Sequence, residues 1–397
     1  LTLSPTEKAF IQDHLHADVH PLLLNPPEGW KSDIKKLAGQ IQSRQKSEKK
    51  IPSWYENPEL IFPPPLSVEQ SSSEVTAQYK AQIMKGQTLV DLTGGMGVDC
   101  WKLSEAFKET FYVERNRDLQ SLFDHNISVL DANIRTVCQK AEDFLEGFQP
   151  ANATVFFIDP ARRNQQNTKV FRFEDCSPNI IELLGSLKNK GSKALIKASP
   201  LVDLKRGMQQ LMFVSEIHVV SLKNECKEVL FMLDFDRSTD DVRIQAVNFS
   251  HDTSCDTVSF KKSDEENGRA QMGPLEKYVY LPNASILKAG AFNWVAEKYG
   301  LSKLAASTHL YTHQGVITGF PGRVFEVVAT GFNKKLLKQL LPEKKAMAMT
   351  RNYPISAREL LKKYNLRDGG DMMLIGYRDF HNQAQTLLVK PLDVTKT

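Results

Sequence analysis

Four acids and a glycine turn recur along the middle of this chain at intervals suited to one shared binding crevice. The first acid opens Asp91-Leu92-Thr93-Gly94-Gly95-Met96-Gly97. Glycines belong where backbone bends tightly and a ligand must approach without a Cβ between them. A dinucleotide fingerprint would want a third glycine at position 100, which is Cys100. Asp91 would also repel a pyrophosphate and attract a cation. S-adenosylmethionine carries a sulfonium and an ammonium and no phosphate, so Asp91, Gly95 and Gly97 are expected to hold it. Glu114 follows 23 positions later, where a carboxylate can accept from both ribose hydroxyls. Asp143 is placed to take an adenine amino group, with Phe144 against the ring. The fourth acid begins Asp159-Pro160-Ala161-Arg162-Arg163. Taken singly, each acid reads as a helix cap; independent capping would not require all of them to follow successive strands.

Those strands are legible as short β-branched runs between helical stretches. Residues 88–91, 110–114, 135–138, 153–159, 194–197 and 216–220 are six candidates, and such alternation predicts a parallel sheet covered by helices on both faces. The run 228–234 follows too closely for a crossover, so a hairpin should make it antiparallel, at the sheet edge. Residues 1–70 read as helical, with one helix over 10–23, another over 32–45 and a proline-rich connector at 61–65. Ser71-Ser72-Ser73-Glu74 looks like a capping box. Residues 236–273 read as polar loop with one strand at 242–249, and 284–299 as a single helix. The tail predicts strands at 323–329, 346–351, 372–377 and 386–389 with helices at 333–341 and 356–364. The expected domains are therefore helical 1–70, Rossmann-like 71–250, a connecting α+β segment 251–322 and an α+β module 323–397.

Around this core stand weaker candidates. Lys197, at the fifth strand's end, and Asp175, before Pro178-Asn179, are expected on the substrate side with Arg163. Ser73, Thr76 and Lys80 precede the first strand and could cap the cofactor's methionine end; helix capping explains them equally well. His309 and His313 have metal-ligand spacing, yet no E-x-x-H context or Cys accompanies them, so no metal is expected.

The 397 residues include 51 Lys/Arg and 47 Asp/Glu, a net charge of +4. The charge is uneven: residues 31–50 carry +5 and residues 323–397 carry +7, leaving an acidic centre. Basic flanks suggest a polyanion partner, with solvated helix faces as the plain alternative. No apolar run is long enough for a membrane span. The five Cys form no C-x-x-C pair, which fits a reducing cytoplasm and no disulfide framework.

In this order, D-L-T-G-G-M-G at 91–97, the acids Glu114 and Asp143, and Asp159-Pro160 resemble a class I S-adenosylmethionine-dependent methyltransferase over residues 70–235. More closely, S-S-S-E-V-T-A-Q-Y-K at 71–80, F-I-D-P-A-R-R at 157–163 and I-K-A-S-P at 196–200 are similar to bacterial methyltransferases with a THUMP-like C-terminal domain. T-R-N-Y-P-I-S-A-R-E-L-L-K-K at 350–363 and G-G-D-M-M-L-I-G-Y-R at 369–378 look like that domain. The resemblance implies a seven-stranded Rossmann-like sheet and structured RNA, rRNA or tRNA, as substrate. It also implies that Asp159, Pro160 and Arg162 serve catalysis. Trimethylguanosine synthase-like relatives place Asp/Asn-Pro-Pro-aromatic at the fourth strand. Here Ala161 and Arg162 replace the last two, so the stacking ring is gone, and a guanidinium could stack or hold phosphate instead. The alternative expectation is a non-catalytic RNA-binding or ribosome-assembly protein on the same fold. A nicotinamide oxidoreductase is disfavoured by Cys100 and Asp91.

Overall fold

The computed structural model describes residues 2–150, 153–162, 172–237, 240–250 and 254–393. The chain divides into two units, Leu1–Ser215 with Leu230–Thr239, and Glu216–Val229 with Asp240–Thr397.

The first unit opens with helices α1 (Pro5–Asp13), α2 (Val19–Leu24), α3 (Ile34–Ser47), α4 (Pro52–Tyr55), α5 (Pro65–Gln70) and α6 (Glu74–Ile83). The single helix expected over 10–23 is two, because Asp18 caps a new start by accepting from the His20 N–H. Phe10, Ile11, Ile34, Leu37 and Ile41 share one apolar cluster with Leu122, so these helices pack on the sheet's covering layer. The cap of α6 is Ser73, whose hydroxyl accepts from Thr76; Glu74 instead accepts from Ser53. The capping box expected from Ser71 to Glu74 is not formed.

Strands β1 (Thr88–Asp91), β2 (Glu109–Val113), β3 (Arg135–Val137), β4 (Thr154–Ile158) and β5 (Lys193–Ala198) are joined through helices α7 (Val98–Ser104), α8 (Arg117–Val129), α9 (Ala141–Gly147) and α10 (Ile180–Lys190). The pairs β1–β2, β2–β3, β1–β4 and β4–β5 are all parallel. Helix α11 (Leu204–Leu211) then leads to β6 (Val214–Leu222), and β7 (Glu225–Asp234) returns from it. Lys223 and Asn224 both have positive φ, as a two-residue hairpin requires. The strand order is β3-β2-β1-β4-β5-β7-β6, and the boundary between the two units runs through β6 and β7. β7 therefore lies between β5 and β6, not at the edge: a hairpin fixes which strand is the neighbour, not the side it occupies. Register does the positioning. Asp91 is level with Tyr112 and Phe157, so Glu114 and Asp159 each project two residues further, at the same carboxyl rim.

In the second unit β8 (Arg243–Phe249) runs parallel to β6 and antiparallel to β9 (Cys255–Lys261). β9 lies in a segment expected as loop. Helices α12 (Lys262–Asn267), α13 (Ala284–Ala289) and α14 (Phe292–Tyr299) follow, the last two separated at Gly290 (φ +76°), which corrects the single expected helix. A seven-stranded sheet contains β10 (Tyr278–Pro282), β11 (Ser302–Lys303), β12 (Tyr311–His313), β13 (Gly322–Thr330), β14 (Met347–Arg351), β15 (Met373–Arg378) and β16 (Ala384–Leu392), in the order β11-β12-β10-β13-β16-β15-β14. Helices α15 (Lys334–Leu340) and α16 (Ala357–Tyr364) accompany it. Among the described residues no helix is long and apolar enough to cross a membrane.

Candidate active site

A cleft of about 640 Å³ opens at the carboxyl ends of β1, β2 and β4. The turn after β1 forms its floor. Gly97 has φ +88°, and a Cβ there would lie 2.1 Å from the Phe123 ring. A Cβ on Gly94 would lie 2.2 Å from Tyr112, which stacks on Phe123 at 4.1 Å and donates its hydroxyl to the Gly95 carbonyl at 2.6 Å. Aromatic packing beneath the turn is thus what demands glycine.

The Asp91 side chain is 1% exposed, and one oxygen accepts from the Thr93 N–H at 2.9 Å. Burial pushes its carboxyl well above the usual carboxylate range, against the Thr93 bond; Asp99, Asp159 and Glu114 add repulsion. Glu114 accepts from the Gly95 N–H at 2.9 Å through one oxygen and from the Asn116 N–H at 2.8 Å through the other. Each oxygen keeps a second lone pair for a ligand. Asp143 lines the cleft. Phe144 does not: it packs in the core against Phe148 at 5.2 Å and Phe111 at 6.0 Å, and Leu119 and Ala141 supply apolar cleft wall instead. Thr76 is also away from the cleft, buried in the first turn of α6, where its hydroxyl donates to the Ser73 carbonyl.

The Asp159 N–H donates to the Thr93 hydroxyl at 2.6 Å, tying the ends of β4 and β1 together. Its carboxylate accepts from Lys197 at 2.6 Å. Lys197 also reaches Ser72 at 3.0 Å and Asp99 at 3.4 Å, while Asp99 accepts from Ser72 at 2.6 Å and pairs with Lys80 at 3.1 Å. Burial works to raise the Asp99 carboxyl; Lys80 and Lys197 outweigh it and hold it below the ordinary value. The sequence offered Lys197 and Lys80 but not Asp99 or Ser72. Their signal was present: Asp99 sits two residues past Gly97, and Ser72 lies inside the serine run before α6. Arg115, which donates to Ser177 at 2.9 Å, was likewise passed over although it follows Glu114 directly.

Pro160 is buried beside Asp159, and Ala161 lines the cleft. The backbone at Ala161 and Arg162 pairs with Ser177 and Cys176. Asp175 is exposed and outside the cleft lining. Arg163 lies outside the described residues. Among the described residues no His, Cys, Asp and Glu cluster could hold a metal.

Comparison with solved structures decides the family. A crystal structure from Porphyromonas gingivalis W83, provisionally classed as a methyltransferase, is 30% identical, with a TM-score of 0.86, over 99% of this chain and 100% of that one. The chain belongs to the class I methyltransferases with a THUMP-like C-terminal domain. Two family models match this methyltransferase's second unit, a ferredoxin-like domain at residues 278–321 and a THUMP domain-like module at 322–391. More distant likenesses include an rRNA methylase from Streptococcus thermophilus (13% identity, 40% of this chain, 94% of that one, TM-score 0.30). Another is TrmK of M. capricolum with S-adenosyl-homocysteine (12% identity, 42% and 70%, TM-score 0.34). At these values they carry no argument. No curated protein matches the chain.

Proposed function

We propose that this protein is an S-adenosylmethionine-dependent methyltransferase that methylates a base in structured RNA, rRNA or tRNA. The observation that carries the reading is the acidic cleft, in which Asp91, Glu114, Asp143 and Asp159 converge from successive strand ends above a glycine turn. The donor set fits the cofactor. Asp91 is desolvated and forms no ion pair among the described residues, so a ligand bringing its own positive charge relieves the burial cost. In this reading Asp91 takes the cationic methionine end, Glu114 the ribose hydroxyls and Asp143 the adenine amino group, with Gly95 and Gly97 leaving room. The bound cofactor supplies a methyl group already activated on sulfonium.

What remains for the chain is positioning and exclusion of water. Asp159 orients the acceptor with the oxygen that Lys197 leaves available and takes a share of its proton. Pro160 and the Thr93 bond to the Asp159 N–H hold that carboxylate at the rim. The THUMP-like match and the basic 323–397 segment support an RNA substrate. One observation favours the second reading, a non-catalytic RNA-binding protein: Arg162 holds the place of the motif's aromatic residue and offers no ring. Tritiated-methyl transfer to RNA from cells lacking the protein tests both. Incorporation that falls at least about a hundredfold in Asp159→Ala is expected; RNA binding without incorporation would favour the second reading.

A further inference from the structure

The second unit contains a group of basic side chains that the acidic cleft does not use. Arg323 stands opposite Leu281 across the β13–β10 pair, and Phe325 opposite Val279, so Arg323 continues the face that buries Phe325, Leu281 and Val279. Arg351 ends β14 level with Tyr377 and two residues beyond Met349, which packs in the same apolar cluster. The 304–310 loop adds Leu304 and Leu310 to that cluster and is pinned by the Thr308 hydroxyl donating to the Arg378 carbonyl at 2.7 Å. At its tip His309 is held at φ +53°, in the left-handed region that His, Asn and Asp enter more readily than other side chains. Its ring stacks on Phe292 at 3.7 Å.

Two polar atoms here are buried without a hydrogen-bond partner among the described residues, the His309 Nδ1 and the Arg351 Nε. Such atoms are costly and ask for an explanation. Lys303 is buried nearby, bonded to Asn293 Oδ1 at 3.3 Å. Glu265 acts on Lys303 from nearby, and its Oε2 accepts from the Asn293 and Trp294 N–H groups at 2.8 Å. Burial, then Lys303 and Arg351, push His309 down to about 4. Burial followed by Arg351 lowers Arg323, and burial lowers Arg351 and, against Glu265, Lys303. Arg351 and the neutral His309 thus each keep a buried polar atom that no described group meets, beside the cationic Lys303 and the exposed Arg323. A carboxylate offers two oxygens in one plane. A phosphate offers oxygens in several directions and suits two guanidinium forks and an imidazole arriving from separate elements.

We propose that Arg323, Arg351 and His309 form a phosphate-binding site, for a phosphate carried by an RNA strand or by a free nucleotide. The site belongs wholly to the second unit and does not depend on methyl transfer. The test uses the full chain. In wild type, the His309 ring is titrated by NMR with and without inorganic phosphate, its signals assigned by loss in His309→Gln. Bound phosphate should raise its pKa toward neutrality; an unmoved pKa overturns the proposal without any folding variant. In parallel, binding of a short single-stranded oligoribonucleotide and of a nucleoside monophosphate is measured for wild type, Arg323→Gln, Arg351→Lys and the exposed control Lys390→Gln. Arg351→Lys keeps charge and length but loses the fork. We expect about tenfold weaker binding in the two arginine variants and under about twofold in the control. Loss confined to the oligonucleotide identifies an RNA strand, and loss for both ligands a nucleotide phosphate. Arginine variants indistinguishable from Lys390→Gln refute the site.

Discussion

Asp91 ties the protein's stability to its ligand. Its folded-state pKa is raised, so the native apoprotein holds the proton more tightly than the unfolded chain does. The resulting stability is present at low pH and lost as pH rises through the folded value. Asp91→Asn keeps an oxygen for the Thr93 N–H and removes the buried charge. Above that pKa the apo variant should be more stable than wild type by about 1–3 kcal/mol, with the gap closing in acid; urea unfolding at several pH values measures this. Cofactor affinity should behave oppositely, falling as pH falls through the same range, because the neutral acid no longer attracts a cation. Lys197 makes a different prediction. Lys197→Met leaves Asp159 unheld, so methyl transfer should drop at least about tenfold while cofactor affinity stays within about threefold. Equal losses in both, measured by single-turnover kinetics and titration, would place Lys197 in the cofactor site. Asp91, Glu114, Asp143 and Asp159 were legible as residues because each ends or follows a strand. Phe144 was misplaced because a sequence gives the turn of a helix but not its face: that side of α9 meets Phe111 and Phe148 in the core.

Among elements, the turn from β1 into α7 is set by the aromatic layer under it. Gly97→Ala adds a Cβ 2.1 Å from Phe123 at φ +88°, and should cost about 1–3 kcal/mol in urea unfolding and abolish cofactor binding. Helix α3 shows how a charge run can mislead. Arg44, read as part of a basic flank, is buried and donates to the carbonyls of Tyr55, Asn57, Pro58 and Leu60. Burial pushes its guanidinium down to about 10. Lys36 pairs with Glu7, and Lys50 donates to the Val68 carbonyl. Arg44→Met should therefore cost about 3–5 kcal/mol by orphaning these carbonyls. Strands β1 to β5 were legible because they are short, apolar and separated by helices. β9 was not, since only Val258 and Phe260 of its seven residues are buried and its polar face mimics a loop. β10 is buried from Val279 onward but runs into Pro282, which in sequence reads as a terminator.

On the scale of the whole molecule, an acidic cleft in one unit and a basic tail in the other suit a cationic small ligand and a polyanion. Lys362 and Lys363 are exposed on α16. Replacing both with Glu should weaken RNA binding and flatten its dependence on salt by about two units of log–log slope, leaving cofactor affinity unchanged. The division into two units was not legible, because it passes through the β6–β7 hairpin and not through a linker of distinctive composition. The central claim is that the acidic cleft holds S-adenosylmethionine. Calorimetric titration of the purified protein with S-adenosylmethionine, beside Asp91→Asn, tests it most directly. The account predicts micromolar binding that weakens at least about tenfold, ~1.4 kcal/mol, in the variant; no binding by wild type, or equal binding by both proteins, would contradict it.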